Sequence, residues 1–231
     1  MKNRRKNLRI VSLALVIALL ATSFVFADDI QDQEKGLVNT DQLAGGGGIY
    51  SPTVFVFPGV TASVSTTIVS QPALCCAGAS SYIALYGLGL SSSISGTTED
   101  DKIHTLQNQI EVYSPSILVS AVRDVMNSYA GSGSYVSVYA GGITFSQFRS
   151  KVFYSLKNGY IPILHAKTGY LPYYGGYNTG HYIPIQSFDS SADTMTLYDT
   201  NNNSPYYGVH VVSASDAFAS VSCGRYLIYH P

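Results

Sequence analysis

Val69–Gly87 reads VSQPALCCAGASSYIALYG. A β-like run closes at Gln71-Pro72, two adjacent cysteines follow, and a helical pattern opens after Cys76. Ala79, Tyr82, Ile83 and Tyr86 recur at steps of three and four, with Gly87 as a stop. The spacing predicts a helix that starts at Cys76. The unpaired N–H groups of a helix N-terminus stabilise negative charge, so they favour a thiolate over a thiol. Cys76 stands at that point and Cys75 one residue before it, which makes Cys76 the better candidate for a reactive thiol. Ala77, Gly78 and Ala79 are small and leave room for another chain to approach. The competing reading is that both cysteines are small buried hydrophobes.

Three more helices follow. TTEDDKIHTLQNQIEVY opens with Thr98 and Asp101 at capping-box spacing and sets Ile103, Leu106, Ile110 and Tyr113 on one face. SILVSAVRDVMNSYAG turns Leu118, Val122, Val125, Met126 and Tyr129 inward. TFSQFRSKVFYSLKNG carries a second capping box, Thr144 and Gln147, and stops at Asn158-Gly159. Strand patterns surround them. TVFVF and SVSTTIVS precede the cysteines, and YIPILHA, HYIPIQSF, TMTLYD, YGVHVVS and RYLIYH follow, with a short helical SDAFASV before the last. Helices dominate the first half and an antiparallel sheet the second, an α+β chain with segregated lobes.

The first residues carry Lys2, Arg4, Arg5, Lys6 and Arg9, then an apolar run from Ile10 to Phe26, then Ala27 and a switch to acid at Asp28. That is the layout of a secretory signal peptide cleaved near Ala27, and it predicts a secreted protein. The run is short for a membrane span of about 20 apolar residues. Removing five of the thirteen Lys and Arg leaves eight against fourteen Asp and Glu, a formal charge of −6 over residues 28–231. No basic patch remains, so no nucleic-acid partner is expected. No stable membrane insertion is expected after cleavage either. Residues 28–50 are polar and then glycine-rich, Gly45–Gly48, and read as a propeptide or a flexible spacer before a domain at 51–231. Cys75, Cys76 and Cys223 make an odd count, so at least one thiol is free. Adjacent cysteines rarely bridge each other. Cys223 is read as buried or bridged to Cys75.

TGHYIPIQSFDSSADTMTLYDTNNN has the pattern of a β-hairpin. With the turn centred near Ser190 and Ser191, simple pairing puts His181 opposite Asp199 or Thr200. A carboxylate beside a histidine fixes its tautomer and stabilises the imidazolium. Gln71, five residues before Cys76, ends a strand-like run. It is an uncharged donor that could turn toward the helix start, as stabilisation of an oxyanion requires.

Gln71…Cys76-Ala-Gly-Ala-Ser, Gly180-His181-Tyr-Ile-Pro-Ile and Leu197-Tyr198-Asp199 together resemble the papain-like cysteine peptidases. The branch they are most similar to is that of the bacteriocin-processing, double-glycine peptidases. The resemblance covers about Val64 to His230 and is carried by order and spacing. It implies the papain-like fold, a helical lobe bearing the cysteine and a β lobe bearing the histidine and acid. It also implies a secreted peptidase acting on a peptide or protein through an acyl-enzyme. Cys76 would be the nucleophile, His181 the base and acid, Asp199 the orienting group and Gln71 the oxyanion donor. In that branch the nucleophile is usually followed by Gly-Pro-Ala. Here Ala77-Gly78-Ala79 follows.

The stretch Lys167–Tyr182, which leads into His181, carries five tyrosines, counting Tyr182. Tyr173, Tyr174, Tyr177 and Gly180 are candidate substrate-binding residues, since tyrosine offers large contact area with a polar tip. His165 reads as structural on an apolar strand, His104 as a solvated-face residue, and His210 as core or edge. No histidine pair and no cysteine cluster has metal-ligand spacing, and Gly45–Gly48 lacks the lysine and helix of a nucleotide loop. No metal and no cofactor are expected. Amidase or acyl-transfer chemistry needs the same residues. A non-catalytic binding domain on the same fold and a surface protein without a site are the remaining alternatives.

Overall fold

The computed structural model describes residues 59–114, 116–203 and 205–231. The stretch TVFVF, the basic and apolar residues 1–27 and the segment 28–50 lie outside the described residues. The described elements are a mixture of helices and one antiparallel sheet. In chain order the helices are α1 (Cys76–Gly87), α2 (Glu99–Tyr113), α3 (Val119–Ala130), α4 (Phe145–Lys157) and α5 (Ala214–Ser222). The strands are β1 (Thr61–Ser63), β2 (Val136–Tyr139), β3 (Ile163–Lys167), β4 (Gly180–Asp189), β5 (Thr194–Asp199), β6 (Gly208–Ser213) and β7 (Tyr226–Tyr229).

Local chemistry sets the helix starts. Thr98 Oγ1 accepts from Asp101 N and Asp101 Oδ2 accepts from Thr98 N, so both partners of the capping box satisfy an orphan amide at the start of α2. Thr144 and Gln147 do the same for α4. The two amides and two hydroxyls of Thr97 and Thr98 around Asp101 hold its exposed carboxyl low, at about 2. At the end of α4, Gly159 takes φ 85°, a turn that a side chain would strain.

The strands run β2-β7-β3-β4-β5-β6, and β1 also pairs with β4. The long β4 organises the sheet. Its first half pairs with β3, His181 opposite Ala166, and its second half with β1 and β5. Ile185 N donates to Pro162 O, so by alternation the backbone N–H and C=O of Tyr182 and the nitrogen of Pro184 point away from β3. β5 begins its pairing only at Ile185. The free edge of the first half of β4 is taken by α1, which packs against β4, α2 and α3. Proline on that edge costs no ladder hydrogen bond.

Because α1 is enclosed on every side, Ala77 to Leu85 are all buried. Full burial of Ile83 and Leu85 contributes about 1.5–3 kcal/mol each. Gly78 is required by this packing. A Cβ there would stand 2.6 Å from Ile103 O and 2.9 Å from Gln107 Cβ. On the sheet, α4 lies against β1 and β4 and α5 against β3, joined through Phe145 and Phe148 on Phe218.

Several expectations change. SVSTTIVS forms strand only at its first residue, after which the chain runs irregularly, tied by Val64 N to Gln186 O and Thr66 Oγ1 to Ile83 O. β2 joins the sheet through β7 from within the helical half, so the lobes are not strictly segregated along the chain. Tyr113 (70%) and Leu118 (56%) are exposed. Tyr113 ends its helix and Leu118 is an N-cap, where the 3.6-residue period no longer determines which way a side chain faces. All three cysteines are free, and Cys223 is exposed rather than buried or bridged. Among the described residues, no helix is long and apolar enough to cross a membrane.

Candidate active site

Cys76 is the first residue of α1 and Cys75 its N-cap, without a side-chain cap. The orphan amides at the helix start find other partners. Gly78 N donates to Gln107 Oε1 at 2.9 Å, and Ala77 N is directed at the Cys76 sulfur. Across the β4 edge, Tyr182 N is a second donor to that sulfur. One turn on, Ser80 Oγ donates to Tyr182 O at 2.8 Å. Residues 76 and 80 share a helix face, so the backbone N–H and C=O of one residue of β4, Tyr182, are clasped by one turn of α1.

This clasp brings the thiol to His181, the preceding residue of β4. Burial alone would raise the Cys76 pKa, but the hydrogen bond and charge of His181, with the Tyr182 and Ala77 amides, bring it below the ordinary thiol value. Burial likewise opposes a charge on His181. Hydrogen bonds to Asp199 and Cys76 and the charges of both overcome it and push its pKa up to about 9. A lowered thiol facing a raised imidazole is the electrostatic signature of a thiolate–imidazolium pair.

His181 Nε2 lies 2.9 Å from Asp199 Oδ1. A carboxylate can only accept, so Nε2 carries a proton and Nδ1 is the ring nitrogen left for the thiol. The two residues are buried, His181 at 4% and Asp199 at 0% exposure. They meet through a register other than the simple one. The hairpin pairs Asp189 with Thr194 and then slips at a bulge between Ile185 and Ser187. Continued from Ile185 opposite Leu197, that register makes His181 and Asp199 diagonal rather than direct neighbours, still on one face of the pair.

All four acceptor positions of Asp199 are used. Oδ1 takes His181 Nε2 and Asn201 N, and Oδ2 takes the hydroxyls of Tyr173 at 2.8 Å and Tyr174 at 2.9 Å. Burial works against its charge, but the imidazolium, the Asn201 amide and the Tyr173 hydroxyl hold its pKa below the usual carboxylate value. Burial and the same carboxylate keep both phenols protonated far above their ordinary range. Tyr173 is stacked on His210 with centroids 3.7 Å apart, and Tyr174 on Tyr206 at 4.3 Å. Two members of the tyrosine-rich loop named as candidate substrate-binding residues therefore have polar tips engaged inside the protein. Tyr173 and Tyr174 turn inward onto Asp199, and Tyr174 is buried. Tyr177 and Gly180 are exposed. Sequence alone offered only one cue to the inward turn, the Gly175-Gly176 pair that lets the loop reverse with φ 56° and 88°.

Gln71 is joined to the same region from the other side. Its N–H donates to Thr200 O at 2.8 Å, and its Oε1 accepts from Thr200 Oγ1 at 2.9 Å. Cys75 has a different environment from Cys76. It is buried, with its sulfur 3.4 Å from Ala73 O and 3.7 Å from His104 Nδ1. Burial, then the charges of Glu111, Cys76 and Asp100, raise its pKa. His104 is exposed on α2, and His165 is stacked on Tyr182 beside Arg225. Burial first, then Arg225, lower the His165 pKa to about 4. Among the described residues, no group of His, Cys, Asp and Glu could hold a metal ion.

No family model matches the chain, and no match was found among curated proteins. Among solved structures, the chain is similar to one titled "Crystal structure of a double glycine motif protease from AMS/PCAT transporter in complex with the leader peptide". The TM-score is 0.45 and the identity 10%, over 73% of this chain and 92% of that one.

Proposed function

We propose that the protein is a cysteine peptidase of the papain-like type, with Cys76 as nucleophile, His181 as acid and base, Asp199 as orienting group and Gln71 as oxyanion donor. The observation that carries this is the pairing of a lowered Cys76 thiol with a raised, Asp199-bound His181. The Cys76 thiolate attacks the peptide carbonyl, and the electrons of the C=O bond move onto oxygen. The N–H of Cys76 at the helix start and Gln71 Nε2 receive that oxyanion. The tetrahedral adduct collapses, the C–N bond breaks, and the His181 imidazolium gives its proton to the leaving amine. Water then attacks the thioester while His181 takes back a proton. The acid leaves, and the thiolate–imidazolium pair is restored.

The same proposal assigns residues 1–27 to a signal peptide, 28–50 to a propeptide or spacer and 51–231 to the peptidase domain. It makes the substrate a peptide or protein met outside the cell. The basic start and apolar run of residues 1–26 support export, and N-terminal sequencing of the exported chain tests it.

Alkylation by iodoacetamide under reducing conditions between pH 5 and 9 tests the site. Rapid labelling at low pH is expected in the wild type and in Cys75→Ala, and is expected to be lost in Cys76→Ala and His181→Ala. Slow labelling with an ordinary thiol profile in all four would overturn the proposal.

A further inference from the structure

Gln71 has two ends of nearly equal shape and opposite chemistry, an acceptor Oε1 and a donor Nε2. Only Nε2 can serve an oxyanion. The wrong end would present an acceptor to an anion and oppose the reaction. Thr200 holds Gln71 at two points, its carbonyl on the Gln71 N–H and its hydroxyl on Gln71 Oε1. Thr200 is fully buried at the end of β5, next to Asp199.

We propose that Thr200 is a positioning residue. Its hydroxyl takes up Gln71 Oε1 and so leaves Nε2 as the free end of the amide. This rests on the peptidase reading, and on Gln71 as its oxyanion donor. The hydrogen bond at Oε1 also polarises the amide and makes Nε2 a stronger donor, because hydrogen bonds in a chain reinforce one another. Asp199-Thr200-Asn201 then positions both arms of the site. Asp199 holds His181, Thr200 holds Gln71, and Asn201 N returns to Asp199 Oδ1. The base and the oxyanion donor are tied to one segment of backbone, so they keep their spacing.

The test compares Thr200→Val, which keeps the shape and removes the hydroxyl, with Thr200→Ser, which restores it. Three readouts are taken on the full chain. Iodoacetamide alkylation of Cys76 forms no oxyanion. Inhibition by a peptide aldehyde and hydrolysis of a chromogenic peptide amide both do. The side-chain amide resonances of Gln71, assigned by their loss in Gln71→Ala, report the contact without any chemistry.

In Thr200→Val the Gln71 amide resonances are expected to move. Hydrolysis and aldehyde affinity are expected to fall about ten-fold, less than the 10²–10³ of losing an oxyanion donor outright. Alkylation is expected to stay unchanged, and Thr200→Ser to restore wild-type behaviour in all three. Unmoved resonances in Thr200→Val would overturn the contact itself. Moved resonances with unchanged hydrolysis would overturn its role. Parallel loss of alkylation and hydrolysis without rescue by serine would reduce Thr200 to a packing residue. Wild-type protein that keeps the contact but cleaves no peptide and alkylates like an ordinary thiol would overturn the peptidase reading, and Thr200's role with it.

Discussion

Ser80 donates its hydroxyl to Tyr182 O at 2.8 Å, although the two residues are 102 apart in the chain. With the Tyr182 amide directed at the Cys76 sulfur, this bond fixes the height of α1 along β4 and hence the facing of Cys76 and His181. Ser80→Ala leaves a buried carbonyl without its side-chain donor. A loss of about 1–3 kcal/mol in stability is expected, read as a lower urea midpoint at unchanged slope, with slower alkylation of Cys76 at low pH.

The pH dependence follows from opposite shifts. Cys76 is lowered, so the thiolate forms on the acid side of an ordinary thiol. His181 is raised to about 9, so its proton is kept until that pH. Peptide hydrolysis should therefore rise as the thiolate forms and fall again as pH passes about 9. Alkylation, which needs no acid, should rise and stay high. A hydrolysis rate that climbs through pH 9 without falling would exclude His181 as the proton donor to the leaving group.

Tyr173→Phe and Tyr174→Phe each remove one hydrogen bond from Asp199 Oδ2. Hydrogen bonds to a charged group are worth about 1.5–3 kcal/mol. Each change should raise the Asp199 pKa, weaken the hold on His181 and shift the acid limb of the hydrolysis profile upward, with a loss of about ten-fold near neutrality. The double variant should lose more than either one. An unmoved acid limb in both single variants would mean that His181 and Asn201 alone hold the carboxylate.

Gly78→Ala probes the packing of α1. The new methyl would meet Ile103 O, a backbone atom that cannot rotate away, at 2.6 Å. Overpacking of this kind costs about 1–3 kcal/mol. Thermal unfolding should show the loss, whereas Gly89→Ala, with no atom within 4 Å of its Cβ, tests the separate cost of φ +75° without any clash.

The features legible in one dimension are local. The start of α1 at Cys76, the capping boxes at Thr98 and Thr144 and the stop at Gly159 depend on groups within about four residues of one another, and their spacing is visible in one dimension. The approach of His181 to Asp199 was legible for a related reason, since a hairpin brings residues eighteen apart together through its own turn. Even there the bulge after Ile185 was not legible. A bulge depends on how the second half of β4 meets β1 and β5, not on the turn. β2 is not among the strand patterns marked in the sequence, and it has its place only through β7, about ninety residues later.

Tertiary structure alone decided the rest of the candidate site. Cys76 meets His181 because α1 occupies the edge of β4 that is left uncovered by strands among the described residues. Tyr173 and Tyr174 face inward because Asp199 is buried and its second oxygen must be satisfied. Gln71 is oriented because Thr200 stands beside Asp199 at the end of β5. Each of these contacts joins residues far apart in the chain. Each is selected by the need to pair a buried polar group, and no periodicity along the sequence records that need.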